Sequence, residues 1–332
     1  MNCKRRKKYV LVSLILLLTN IIYGCKSKTE DIKEIEINNG AIAIENNGTY
    51  KVYNLNDGIY ENIETDYIIT FYDSKSKNYI YNENGEFKID YLGKEKVIDE
   101  SNTVFSPKLS PGGNYLSYFV KDMYLNLKVK DLKKDKFIDI NSNVSISGEL
   151  IEWYNSETLV YYGIDDEKNN GIFIYNIHDN EEKLIYKLES GYVEYLEVLN
   201  NEVVFLQQKE GKQKILKFIN EKGDISESIE NIDVISDVEY TEDGIFIIGK
   251  MKDNNYSLYK YSDGKIKRLV YDFPKIINLE KGLSKDSNGN ILFIGGDEPK
   301  MDRVYICKDG AISELMNNEG GYYFINYKWE HL

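Results

Sequence analysis

Phe105–Asp139 reads FSPKLSPGGNYLSYFVKDMYLNLKVKDLKKDKFID. A short segment ends in the turn Ser110-Pro111-Gly112-Gly113. An alternating run, Asn114–Val120, comes next, then the polar turn Lys121-Asp122. A second run, Leu125–Val129, leads through a charged turn to Phe137–Ile140. Side chains on a strand point alternately to its two faces. Apolar residues at every second position therefore mark a half-buried strand, and Pro, Gly, Asn and Asp between such runs mark tight reversals. The stretch predicts about four consecutive antiparallel strands.

The unit repeats. Its most apolar strand recurs as Tyr115–Phe119, Thr158–Tyr162, Glu202–Leu206, Ile245–Ile248 and Ile291–Ile294. The spacing is roughly 42 to 46 residues, the period of propeller blades. Each copy is followed by a third strand: Leu125–Val129, Ile172–Ile177, Lys214–Ile219, Tyr256–Tyr261 and Arg303–Cys307. Outer strands follow at Phe137–Ile140, Lys183–Tyr186, Ile225–Ile229, Lys265–Val270 and Ala311–Leu315. Upstream, Ile35–Ile37 and Ala41–Ile44 flank Asn39-Gly40 as a predicted hairpin. Tyr50–Leu55, Ile59–Ile63, Tyr67–Tyr72, Tyr79–Asn82, Phe87–Leu92 and Lys96–Ile98 supply looser units. Tyr322–Trp329 is strand-like with no repeat after it, as expected of a strand that completes the first blade. The reading is an all-β chain, with residues 34–332 forming one β-propeller of four-stranded antiparallel blades. Seven blades is the count, with six as the alternative.

The first residues read as a processing signal. Lys4–Lys8 form a basic start, Tyr9–Ile22 is mostly apolar, and Ile22-Tyr23-Gly24-Cys25 follows. That order is the order of a secretory signal, and the last four residues resemble a bacterial lipobox. The resemblance implies a lipoprotein signal peptide over residues 1–24, with Cys25 acylated (palmitate or a related lipid). It implies a short tether over residues 25–33 that holds the domain on the extracytoplasmic face of the cell membrane, within the cell envelope. Without the leader's five basic residues, 37 basic residues remain against 55 acidic ones, a net charge near −18. Nucleic-acid binding needs the opposite footprint. Of three cysteines, Cys3 leaves with the leader and Cys25 is lipidated. Cys307, in an apolar strand pattern, reads as a buried small hydrophobe.

Leu109-Ser110-Pro111-Gly112-Gly113-Asn114-Tyr115-Leu116-Ser117-Tyr118-Phe119 resembles the repeat of TolB-like propellers, roughly Ser-Pro-Asp-Gly-Lys-x-Ile-Ala-Phe. Gly112 stands where Asp is usual. Other units keep only the turn and the apolar strand, as in Thr241–Ile247. The resemblance implies the architecture and no particular activity.

Catalytic signatures are absent from the sequence. His178 lies in a turn and His331 is penultimate, positions where histidine is ordinarily solvated. No G-x-S-x-G elbow, Cys/His zinc cluster or Gly-rich phosphate loop occurs, and no cofactor or metal is expected. Ser284–Gly289 departs from a sialidase-type Asp-box and reads as a β-turn. Asp165–Gly171 departs from a calcium loop and reads as a polar hairpin. Trp153 and Trp329 fall on predicted innermost strands as core residues. One pattern recurs after the strongest strand: Lys121-Asp122, Asp165-Asp166, Lys209-Glu210, Lys252-Asp253 and Asp297-Glu298. Equal phase puts Asp122, Asp166, Glu210, Asp253 and Asp297 on one face of the disc, as candidate binding residues on an acidic rim. The plain alternative is that hairpin turns favour Asp. The sequence thus points to a non-catalytic binding or scaffold module for a protein or peptide partner. Its alternative is an envelope enzyme acting on glycans through dispersed carboxylates.

Overall fold

Tight turns punctuate the chain where Asn-Gly and Asp-Gly pairs occur. Asn47-Gly48, Asn84-Gly85, Asp263-Gly264 and Asp309-Gly310 have positive φ at both residues, the backbone that type I′ hairpins require. The computed structural model describes residues 35–98, 104–121 and 123–327. Over these residues the chain is strand and turn, with two single-turn 3-10 segments at Glu210–Lys212 and Leu279–Lys281.

β1 (Ile42–Asn46), β2 (Thr49–Asn56) and β3 (Ile59–Ile63) belong to the first sheet. β4 (Ile68–Tyr72), β5 (Tyr79–Glu83), β6 (Glu86–Tyr91) and β7 (Lys94–Val97) make the second. β8 (Val104–Leu109), β9 (Tyr115–Lys121), β10 (Leu125–Asp131) and β11 (Lys136–Ile138) make the third. The fourth holds β12 (Val144–Trp153), β13 (Thr158–Asp165), β14 (Asn170–Asn176) and β15 (Glu181–Lys187). A seven-stranded sheet follows: β16 (Tyr192–Leu199), β17 (Glu202–Gln208), β18 (Lys214–Ile219), β19 (Ile225–Thr241), β20 (Gly244–Met251), β21 (Tyr256–Ser262) and β22 (Lys265–Arg268). The last sheet contains β23 (Ile276–Ile277), β24 (Leu283–Lys285), β25 (Ile291–Gly296), β26 (Arg303–Lys308) and β27 (Ala311–Met316). β28 (Gly321–Phe324) then returns to the first sheet and pairs with β1, setting Phe324 opposite Ile42 and Tyr322 opposite Ile44.

The seven-stranded sheet contains two four-stranded units. β19 pairs with β18 from Ile225 to Ile232 and with β20 from Ile232 to Thr241. It is the outer strand of one unit and the innermost strand of the next. Among the described residues the hydrogen-bonded sheets number six, one of which contains two such units joined at Ile232. Each is antiparallel and reached by the next through a short connection, the architecture of a β-propeller.

Neighbouring sheets pack face to face, and the core lies between them. Phe119 and Val129 of the third sheet meet Trp153, Leu159 and Tyr161 of the fourth. Val160 and Ile172 of the fourth meet Phe205 and Ile219 of the next. Ile42 and Leu55 of the first sheet meet Leu292 and Ile294 of the last. Cys307 is among the buried residues, as its strand pattern predicts, and Trp153 is on the innermost strand β12. Trp329, His331, Asp122, Cys25 and the leader lie outside the described residues.

One predicted hairpin does not form. Residues 35–38 are not strand, because β28 occupies the edge of β1 that they would pair with. They are held by side chains instead. The Asn38 N–H donates to Asn54 Oδ1 (2.7 Å), and Asn54 Nδ2 donates to the Glu36 carbonyl (3.1 Å). Beyond β28, the Asn326 side chain accepts from the Tyr72 N–H (2.6 Å) and donates to the Tyr72 carbonyl (3.1 Å). The last strand therefore ties the first sheet to the second.

Gly191 stands where β16 is entered. Its φ is +82°, and a Cβ there would lie 1.8 Å from the Gln208 carbonyl oxygen. Gly191→Ala is expected to lower the unfolding free energy by roughly 1–3 kcal/mol, measured by urea unfolding.

Candidate functional site

The innermost strands β8, β12, β16 and the second half of β19 carry a charged residue at one register. Lys108 is opposite Ser117, Glu152 opposite Val160, Glu197 opposite Val204 and Glu239 opposite Phe246. Equal register on consecutive sheets places these four side chains at the same level of the wall around the central channel. Two find lysine partners on neighbouring sheets. Glu152 is paired with Lys108, and Glu239 with Lys285 Nζ at 2.9 Å. Among the described residues no lysine or arginine is paired with Glu197, nor with Asp237 one alternation away on β19.

Two β-bulges aim the groups around Glu197. The register of β16 slips between Val193 and Tyr195, and that of β19 slips between Ile235 and Asp237. A bulge inserts one residue on one strand and re-aims the side chains that follow it. Tyr195 and Asp237 are the residues that follow. The Tyr195 oxygen hydrogen-bonds Glu197 Oε2 and lies 3.2 Å from Asp237 Oδ1. The backbone N–H of Val238 donates to the same phenolic oxygen (3.2 Å). Asp237 also accepts from the Val238 N–H at 2.9 Å and, across to the last sheet, from the Leu283 N–H at 2.7 Å. One carboxylate thus joins three innermost strands.

Burial sets the electrostatics. Desolvation, followed by the charge of Asp237, holds the Glu197 carboxyl well above the usual range. The Asp237 carboxyl is raised to about 7, first by burial, against the pull of the Leu283 N–H and with a further push from Glu239. Burial and then the two carboxylates raise the Tyr195 hydroxyl as well. Desolvation disfavours the charged form of each group, and like charges in one site cannot both ionise freely.

Two cavities meet at this cluster, of about 250 and 210 Å³, and both are lined by Glu197, Asp237, Asn326 and Tyr327. The first has an apolar wall of Phe71, Phe87, Leu109, Trp153 and Val198, with Glu149 and Glu152 across it. The second runs past Asn38–Ala41, Leu283, Glu239 and Lys285. An apolar cleft with a few convergent polar groups is the usual form of a small-ligand site. This one offers uncompensated carboxylates beside aromatic and aliphatic walls, which suits a cation on an apolar stem. Among the described residues no group of three or more His, Cys, Asp or Glu is placed to hold a metal ion.

The sequence-derived rim residues lie elsewhere. Asp166 is in the β13–β14 hairpin, Glu210 in the 3-10 turn between β17 and β18, Asp253 between β20 and β21, and Asp297 between β25 and β26. All four join second to third strands and so share one end of their sheets. None lines either channel cavity. Two nearby acids of the same sequence patterns close their own turns. Asp165 accepts from the N–H (2.8 Å) and side chain (2.9 Å) of Asn169, and Asp286 does likewise with Asn290 (2.8 and 2.7 Å). His178 is exposed in its turn. The channel groups do not lie on the turn after the strong strand. The signal lay before it: Lys108, Glu152, Glu197 and Glu239 follow one another at 44, 45 and 42 residues, the blade period itself.

No protein family matches the chain, and no curated protein does. Solved structures are similar to it in fold. An uncharacterised protein of Listeria monocytogenes superposes with a TM-score of 0.59 at 12% identity, over 84% of this chain and 91% of that one. An oligogalacturonate lyase in complex with manganese gives 0.56 at 13% identity, over 77% and 81%. The acylaminoacyl peptidase of Pyrococcus horikoshii gives 0.52 at 12% identity, over 83% of this chain and 52% of the peptidase. The chain spans about half the length of that peptidase. At such identities the likeness is one of fold.

Proposed function

We propose that this chain is a lipoprotein anchored through Cys25 on the extracytoplasmic face of the cell membrane, and that its propeller is a non-catalytic binding module. It takes a protein or peptide partner by admitting a cationic group of that partner to the channel. One observation carries this reading: Glu197 and Asp237 share a cavity wall and, among the described residues, neither is paired with a lysine or arginine, while the neighbouring carboxylates Glu152 and Glu239 each have a lysine. The lipobox-like Ile22–Cys25 supports the anchor, and the acidic hairpins supply a long-range field that attracts a basic partner.

The test is capture from detergent-solubilised cell envelope on the immobilised chain, eluted with rising salt. A discrete protein retained by the wild type is expected. Glu197→Gln should weaken its binding tenfold or more, mostly through faster dissociation. Reversing the rim charges Asp166 and Asp253 to Lys should mainly slow association, by about tenfold at low salt. Equal retention by wild type and Glu197→Gln would remove the channel from the reading.

A second reading draws on the same pair. Two neighbouring carboxyls of unequal proton affinity, Asp237 buried and Glu197 half-buried, are also what a glycan-cleaving enzyme uses as acid and base. Turnover of an envelope glycan by the wild type, abolished in Glu197→Gln, would establish it over the binding module.

A further inference from the structure

The geometry points to a proton-linked site: in the unliganded protein Glu197 and Asp237 hold one proton between them at neutral pH, and a cation that occupies the channel displaces it to solvent. The inference rests on the channel reading above for the cation, and on proton counting for the rest.

A phenol carries one proton. The Tyr195 oxygen is in hydrogen-bond contact with Glu197 Oε2, with Asp237 Oδ1 at 3.2 Å and with the Val238 nitrogen at 3.2 Å. The Val238 N–H donates to it. The phenolic O–H can fill only one of the two carboxylate contacts. The other brings two oxygen atoms together and is repulsive unless the carboxyl supplies its own proton. Asp237 accepts two backbone N–H groups, which favour its ionised form. Among the described residues no backbone N–H donates to Glu197. The proton therefore sits on Glu197. Its carboxylic O–H donates to the Tyr195 oxygen, and the Tyr195 O–H donates to Asp237 Oδ1. Burial and the Asp237 charge act on Glu197 in the same direction.

The surroundings do not neutralise the pair. From β12, Glu152 faces it and is already paired with Lys108 of β8; Glu149 lies on the same wall, bonded to Ser106. From β19, Glu239 adds negative charge and is paired with Lys285 of β24. Lys281, in the turn before β24, is stacked on the Tyr323 ring. The C-terminal segment contributes Tyr327, a neutral phenol that opposes ionisation of Tyr195. An arriving ammonium changes the balance. The Glu197 O–H bond breaks, the proton goes to buffer, and a carboxylate–ammonium ion pair forms. Together the protein pair and the ligand carry one negative charge after the exchange, as the pair alone did before it.

Two measurements on the full chain test this. Carboxyl-carbon NMR of the unliganded protein should show Glu197 and Asp237 titrating as a coupled pair near neutrality. Full ionisation of both by pH 6 overturns the inference. Calorimetry with n-butylammonium chloride at neutral pH, repeated in buffers of different ionisation enthalpy, should show about one proton released per ligand bound. Glu197→Gln should bind more weakly and release none. Butylammonium binding without proton release overturns the linkage and leaves the channel as a cation site. No binding overturns the channel reading and the displacement step together, and the NMR titration separately decides whether the pair shares a proton.

Discussion

Phe324→Ala is expected to lower the unfolding free energy by about 3–5 kcal/mol, the range for truncating a buried aromatic ring. The side chain is 1% exposed. It packs with Ile42 and Leu55 of the first sheet and with Leu292 and Ile294 of the last, so it fills the seam where the ring closes. Natural domains are stable by only about 5–15 kcal/mol, and a loss of this size removes much of that margin. The effect belongs to the seam and not to the strand alone. Tyr323, the preceding residue, pairs with Ala43 but is only half-buried, under the Lys281 ammonium. Tyr323→Ala should lose about 1 kcal/mol. Urea unfolding of the two variants checks the contrast. A loss below about 1 kcal/mol for Phe324→Ala would mean that β28 does not hold the ring closed.

The strands that sequence patterning found are those whose alternation is unbroken. β3 and β18 fall where the sequence places them, and β9, β13, β17, β20 and β25 begin within a residue of the apolar runs that announced them. Apart from β3, the exposed outer edge of the first sheet, these strands are flanked on both sides within their sheets, and their side chains pack against neighbouring sheets. Hydrophobic content alone reveals them. The innermost strands are harder to read for a physical reason. β8, β12, β16 and β19 each contain a bulge, and a bulge interrupts the period of two on which the reading depends. The innermost strand of the last sheet is split into β23 and β24 by the turn at Leu279–Lys281. The same bulges that hid these strands aim Tyr195 and Asp237. The site was therefore illegible where the chain departs from regularity, although its charged register kept the blade period. The missed hairpin at residues 35–38 has another cause. Local propensity pairs Ile35–Ile37 with its neighbour in sequence, whereas ring closure brings a strand from the far end of the chain.

The proton held at Glu197 and Asp237 makes stability depend on pH in a direction opposite to that of salt-bridged carboxylates. A carboxyl whose proton affinity is raised by folding binds more protons folded than unfolded. Its stabilisation is complete below the unfolded value and is lost as pH rises through the folded one. For Asp237 the window runs from the ordinary 3.8 up to about 7, a gap worth roughly 4 kcal/mol. Solvent that reaches the channel would reduce it. Glu197 adds a loss of the same sign from its ordinary 4.5 upward, because desolvation and then the Asp237 charge hold its proton. Glu197→Gln isolates that second part. The glutamine amide supplies the N–H that the carboxylic acid supplies in the wild type, so the contact to Tyr195 stays filled at every pH. From about pH 5 upward the wild type should lose stability by up to about 1.4 kcal/mol per pH unit relative to the variant, while the two should run in parallel below the ordinary glutamate value of 4.5. Urea unfolding at pH 5, 7 and 9 reads the difference. Curves that stay parallel to pH 9 would show that Glu197 is ionised throughout, and that the second carboxylate contact at Tyr195 is filled by some other donor.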